Sequence, residues 1–214
     1  MLQVFEPKSF PSFPAGLAWP DHARRTASGD GLAAILEDGV NLAIWQRCDS
    51  PKIAAADLDD VDDISVALPV TELAAAVPAA LDAAGFGACD TALLGRDIVD
   101  LATRFASLMM IDRVAIRLEV VETDACRRFH ADYVAVRLIC SYVGPGTQWL
   151  DDRDAVALSD GTDVTELNVR SIATGDVGLF KGRDRTDTPI VHRSPPVAAT
   201  GKQRLVLVID PARS

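Results

Sequence analysis

No stretch of this 214-residue sequence approaches the roughly 18 consecutive apolar residues of a membrane-spanning helix, so a helical membrane protein is excluded. Basic residues are in short supply. Against 31 Asp and Glu stand 21 Lys and Arg, which gives a formal charge of −10 and a pI near 4.7. A chain so charged repels phosphate backbones and anionic lipid, which excludes nonspecific binding to nucleic acid or membrane surfaces. The four cysteines, Cys48, Cys89, Cys126 and Cys140, show no C-x-x-C spacing, which argues against a zinc knuckle or a disulfide frame. Buried, reduced thiols are expected instead. The start, Met1-Leu2-Gln3-Val4-Phe5-Glu6-Pro7, lacks the basic and then apolar pattern of a secretory signal, so a cytoplasmic location is expected. Histidine is scarce: His22, His130 and His192 are all there are.

What is present is a chain 49% hydrophobic, long enough for one domain with a large core. Pro7, Pro11, Pro14 and Pro20 among aromatic residues predict an extended arm over residues 1–29. Residues 30–112 read as a mainly helical support region. It opens with a short helix from Asp30 to Gly39 and a buried strand at Leu42-Ala43-Ile44-Trp45. Ser50-Pro51 is a helix start leading into the acidic run 57–63, which lacks a calcium loop's glycine turn and reads as a solvated face. A short strand at Ile64-Ser65-Val66-Ala67-Leu68 and an Ala-rich helix from Thr71 toward Gly85 follow. After Asp90, Leu93, Leu94, Ile98, Leu101, Ala102, Phe105, Leu108 and Met109 recur every three or four residues, a long helix with one buried face. Residues 113–214 change character. Apolar runs at 114–121, 133–143, 164–169, 177–180, 190–191 and 205–209 are separated by Gly, Pro and Asp turns, the spacing of a β-sandwich. Helices followed by strands make an α+β arrangement, with helices bracing one face of a two-sheet structure.

His130 sits in Phe129-His130-Ala131-Asp132-Tyr133. Residues i and i+2 of a strand point to one face, so His130 and Asp132 can bite one ion if a distant strand supplies a third ligand. His192 is the candidate. Two histidines and one carboxylate form the facial triad of non-haem iron(II) oxygenases, which leaves other positions on the ion open. H-x-D alone is a weak motif in an Asp-rich chain, and His192 alone reads more readily as a hydrogen-bonded surface or core histidine than as a ligand. Lys181, Arg183, Arg185, Arg193, Lys202 and Arg204 cluster against Asp184 and Asp187, which would suit an anionic small molecule. Lys202 and Arg204 share strand parity, so at least one can point inward beside the metal. Arg183, Arg185 and Arg193 read instead as partners of surface carboxylates.

From about residue 116 to 210 the chain resembles the double-stranded β-helix core of iron(II)/2-oxoglutarate dioxygenases, on the prolyl-hydroxylase-like branch. The matching pieces are His130-Ala131-Asp132-Tyr133, Arg137-Leu138-Ile139-Cys140-Ser141-Tyr142 and Gly144-Pro145-Gly146-Thr147-Gln148-Trp149. Gly175-Asp176-Val177-Gly178-Leu179-Phe180 follows, and last His192 with Pro196-Val197 and a cation ten to twelve residues later. The resemblance implies iron(II) held by His130, Asp132 and His192, and 2-oxoglutarate paired with Arg204 or Lys202. Where that pattern has a tyrosine before H-x-D, this chain has Val121. The whole chain, including Leu42-Ala43-Ile44-Trp45-Gln46-Arg47 and Tyr142-Val143-Gly144-Pro145-Gly146-Thr147, also resembles a bacterial domain-of-unknown-function family.

The fold expected is therefore α+β, with N-terminal helices packed on a C-terminal double-stranded β-helix, a cupin-like jelly roll, in one domain. The leading function is an iron(II)/2-oxoglutarate oxygenase hydroxylating a small molecule or a protein side chain. Two alternatives stand beside it: a cupin-like enzyme using iron, zinc or manganese without oxoglutarate, and a noncatalytic β-sandwich that binds a metal, a metabolite or a protein.

Overall fold

The computed structural model describes residues 19–124 and 126–212. Most of the expected arm lies outside the described residues. Its last part carries strand β1 (Ala23–Thr26), which pairs in parallel with β2 (Leu42–Trp45). Between them, Gly29–Leu36 forms a 3-10 helix whose cap is the Ser28 hydroxyl. β3 (Ile64–Pro69), α1 (Leu73–Ala83) and α2 (Ala88–Met109) follow. The remainder supplies β4 (Arg113–Val121), β5 (Val136–Val143), β6 (Gln148–Trp149), α3 (Asp152–Ser159), β7 (Arg170–Ser171), β8 (Val177–Lys181), β9 (His192–Arg193) and β10 (Arg204–Pro211). A seven-stranded sheet runs in the order β1-β2-β8-β5-β10-β4-β3 and a small sheet in the order β7-β6-β9. The large sheet thus draws strands from both parts of the chain, and the architecture is mixed α/β.

Strand alternation gives the large sheet two different faces. Leu205, Leu207 and Ile209 of β10, with Leu118, Leu138 and Leu179 beside them, share one buried core with Leu94, Ile98, Leu101 and Phe105 of α2. Those four lie at i, i+4, i+7 and i+11, which is one helical stripe. Leu93, at the edge of that stripe, is exposed. The other face presents Val206 and Val208 of β10, Ile139 of β5, Phe180 of β8 and Leu42 and Ile44 of β2. These pack with Trp149 of β6, Ile172 and Ile190 into a second core.

Several sequence expectations are corrected. Ser50 starts no α-helix: its hydroxyl is buried and accepts from Lys52 Nζ, and only a 3-10 turn forms at Ala55–Leu58. The run 164–169 is not a strand, because the Asp163 carboxylate takes the Thr165 N–H at 2.8 Å and winds Val164–Glu166 into a 3-10 turn. Three of the four thiols, Cys48, Cys89 and Cys126, are exposed, and only Cys140 is buried. Cys48 and Cys126 lie in connections outside both cores, and Cys89 sits in the first turn of α2. No helix among the described residues is long and apolar enough to cross a membrane.

Candidate metal centre

The structure brings His130, Asp132 and His192 together. His130 lies outside the regular strands but pairs with His192 of β9 in an antiparallel bridge. Each backbone N–H donates to the other's carbonyl, at 2.9 and 2.8 Å. One ligand atom from each residue lies within 4.8 Å of the other two. The rings stand 4.8 Å apart, and Phe180 packs against His192 at 4.9 Å. His192 is buried and Asp132 nearly so, while the His130 side chain is 43% exposed, so the cluster opens to solvent on the His130 side.

Hydrogen bonds fix which nitrogens face inward. His130 Nδ1 is 2.9 Å from the Arg128 carbonyl, and His192 Nδ1 is 3.3 Å from that of Ile190. A carbonyl only accepts, so Nδ1 carries the proton in both rings and each Nε2 presents a lone pair. These lone pairs face Asp132, at 3.7 Å from Oδ1 for His130 and 3.2 Å from Oδ2 for His192. Asp132 Oδ2 is buried and accepts no hydrogen bond. Three lone-pair-bearing atoms around one point repel one another unless a cation, proton or metal sits among them. Backbone carbonyls that orient histidine ligands through their far nitrogen are a common support of metal sites.

The carboxylate is held from behind. Arg137 Nη1 donates to Asp132 Oδ1 at 2.6 Å, while its Nε and Nη2 form a fork on Asp210 at 2.7 and 2.8 Å. Burial alone would raise the Asp132 pKa. A proton on the His192 imidazole against it, with the Arg137 charge and a proton on His130, would override this and bring it to about 2. A Cβ at Gly182 would run into the Asp132 and Val134 carbonyls, so glycine lets the turn after β8 close on the ligand loop.

Arg204 begins β10 and is 2% exposed. Its Nε donates to the Pro145 carbonyl at 2.6 Å, Nη1 to Ser194 Oγ, and Nη2 to Ser141 Oγ and Thr147 Oγ1 at 3.0 and 3.4 Å. All four acceptors are neutral. Burial without a counter-ion lowers its pKa to about 10, so it stays charged at neutral pH. Gly144, at a φ of 74°, turns the chain tightly enough to bring Pro145 onto the guanidinium. Lys202 precedes β10, is exposed, and lines a separate groove with Asp59, Glu122 and Gln203. His22 stays apart from the cluster, with Nδ1 3.1 Å from Asp152.

Sequence reasoning missed Arg137, Asp210, Ser141, Thr147 and Ser194. Asp210 shares parity with Arg204, and Arg137 with Ser141, so alternation carried part of the signal. The reading of Arg183, Arg185 and Arg193 as surface ion pairs does not hold: among the described residues none has a carboxylate oxygen within 4.0 Å.

Two histidines and a carboxylate converging beside the sheets give the ligand set of a protein that could hold a metal ion. The chain belongs to the family described as protein of unknown function DUF1826, whose model matches residues 26–210. No curated protein matches it. Among solved structures it is similar to the Arabidopsis thaliana dioxygenase for auxin oxidation 1 in its 2-oxoglutarate complex. That match has 12% identity and a TM-score of 0.42, and covers 76% of this chain and 73% of that one. It is also similar to a Pseudomonas putida prolyl-4-hydroxylase, at 18% identity and a TM-score of 0.35, over 79% of this chain and 100% of that one. For a full-length Neurospora crassa protein in complex with α-ketoglutarate the values are 11% and 0.37, over 87% and 80%.

Proposed function

We propose that this protein is a non-haem iron(II) and 2-oxoglutarate-dependent oxygenase, its two sheets forming a jelly roll with the helices packed outside. One observation carries the reading: two histidine lone pairs and a buried, unbonded carboxylate oxygen face a common point. Iron(II) and 2-oxoglutarate, when bound, supply oxidation by O₂ in which oxoglutarate is decarboxylated and a substrate is hydroxylated. His130, Asp132 and His192 would hold the ion through two imidazole nitrogens and one carboxylate oxygen. Arg137 fixes the carboxylate so that Oδ2 stays turned toward the histidines.

Arg204 is the anchor for the distal carboxylate of 2-oxoglutarate, and exposed Lys202 is not. A buried guanidinium without a counter-ion favours an anionic ligand, and the hydroxyls of Ser141, Thr147 and Ser194 around it can donate to a carboxylate as well. Val121, standing where the prolyl-hydroxylase pattern has a tyrosine, pairs with Arg204 across β4 and β10. Those hydroxyls take over the donor role that valine lacks.

A second reading, a metal enzyme that uses no oxoglutarate, is favoured by the neutral oxygens already meeting Arg204. An anaerobic titration separates the two. Iron(II) added to metal-free protein and then 2-oxoglutarate should produce the visible charge-transfer band of the chelate. Iron binding with no response to oxoglutarate at millimolar concentration would select the second reading, and no iron binding would overturn both.

A further inference from the structure

The inner face of β10 carries Arg204 at its start and Asp210 near its end, with Val206 and Val208 between them. Asp210 is largely buried, and its charge is met from both neighbouring strands. On β5, Leu138 pairs with Ile209, which sets Arg137 beside Asp210, and there Nε and Nη2 fork onto Oδ1 and Oδ2 at 2.7 and 2.8 Å. On β4, Arg117 Nη2 lies 3.7 Å from Asp210 Oδ2, while its Nη1 donates to Glu119 at 3.2 Å. Charges therefore alternate in sign from Asp132 through Arg137, Asp210 and Arg117 to Glu119.

That fork decides what is left for Asp132. A guanidinium and a carboxylate bind best through two parallel N–H···O bonds, so two carboxylates beside one arginine compete for its paired donors. Asp210 takes Nε and Nη2, and only Nη1 remains for Asp132, where it holds Oδ1 at 2.6 Å. Asp132 Oδ2 is then left without a hydrogen bond although it is buried. Were residue 210 uncharged, Arg137 would keep one full carboxylate partner, and its fork would turn onto both oxygens of Asp132. Oδ2 would then be drawn from the histidines toward the arginine.

We propose that Asp210 is a positioning residue: by occupying the fork of Arg137 it keeps Asp132 Oδ2 open for the metal ion. The metal's part in this rests on the oxygenase reading. The restraint on Arg137 belongs to the metal-free protein and is tested there.

Asp210→Asn keeps the shape of the side chain and removes its charge. A crystal structure of the metal-free variant should show Arg137 turned from residue 210 and bonded to both oxygens of Asp132. Iron(II) affinity, measured by competition with a chelator, should fall about tenfold, the scale of losing a group that orients a metal ligand. Arg117→Met leaves the fork intact and should bind iron(II) within about twofold of the wild type. Asp210 acts through Arg137, so adding Asp210→Asn to Arg137→Met should change the affinity by less than about twofold, whereas losses from a loosened sheet would multiply in the double variant. An unmoved Arg137 in Asp210→Asn, wild-type affinity in that variant, an equal loss in Arg117→Met or a multiplied loss in the double variant would each overturn the proposal. Wild-type protein that binds no iron(II) would defeat the oxygenase reading and the metal's part in this one, and the metal-free crystal structure would still decide whether Asp210 restrains Arg137.

Discussion

The two faces of the large sheet treat buried charge in opposite ways. On the helix face, Arg47 has a side chain only 2% exposed and is fully partnered. It donates to Asp97 at 2.7 Å and to the Gly175 carbonyl at 2.6 Å, and Asp97 also accepts the Tyr142 hydroxyl at 2.6 Å. That network pins α2 to the sheet. On the inner face, Arg204 is buried as deeply and meets only neutral oxygens, while Asp132 keeps an oxygen with no hydrogen bond. Completed pairing marks a structural role. Incomplete pairing in an equally buried place marks a position kept for a partner from outside.

Substitution of Asp97 should break the contrast most strongly. Asp97→Ala leaves Arg47 charged and buried, and should cost about 3–5 kcal/mol, read from denaturant midpoints. Arg204→Met removes a charge that has no counter-ion, so its unfolding free energy should change by less than about 1 kcal/mol, while oxoglutarate binding should weaken by about 2–5 kcal/mol. A large stability loss there would make the inner face as structural as the outer. Arg137→Met frees Asp132 Oδ1 and leaves Asp210 only the Arg117 guanidinium at 3.7 Å, and iron(II) affinity should fall about 10–100-fold in a competition titration with a chelator. Unchanged affinity would show that Arg137 serves the sheet and not the site.

Much of the candidate cluster was legible because its residue types and part of its placement follow local patterns. H-x-D keeps two candidate ligands two residues apart although neither lies in a regular strand, and β10 places Arg204 on the inner face by parity. Lys202 shares that parity, but the strand begins only at Arg204, so alternation had no hold on it. The supports were not legible, since Arg137 meets Asp210 across 73 residues and the Ser194 hydroxyl reaches Arg204 from a separate connection. Such pairings are created by strand order, which composition does not encode. The exposed cysteines and the failed strand at 164–169 have a simpler cause: local preference outweighed by solvent exposure in one case and by an aspartate turn in the other.

The backbone bridge between His130 and His192 ties together two points separated by a long stretch of chain, and that has a consequence for how the protein is made. While the chain leaves the ribosome, the site cannot exist until residue 192 has emerged and docked, so a captured ion reports a finished fold. Binding then stabilises only completed molecules, and each tenfold rise of free metal above the dissociation constant adds about 1.4 kcal/mol to the free energy of unfolding. Under the proposed metal role, the amount of this protein that survives in a cell should therefore follow the supply of that metal as well as the rate of its synthesis.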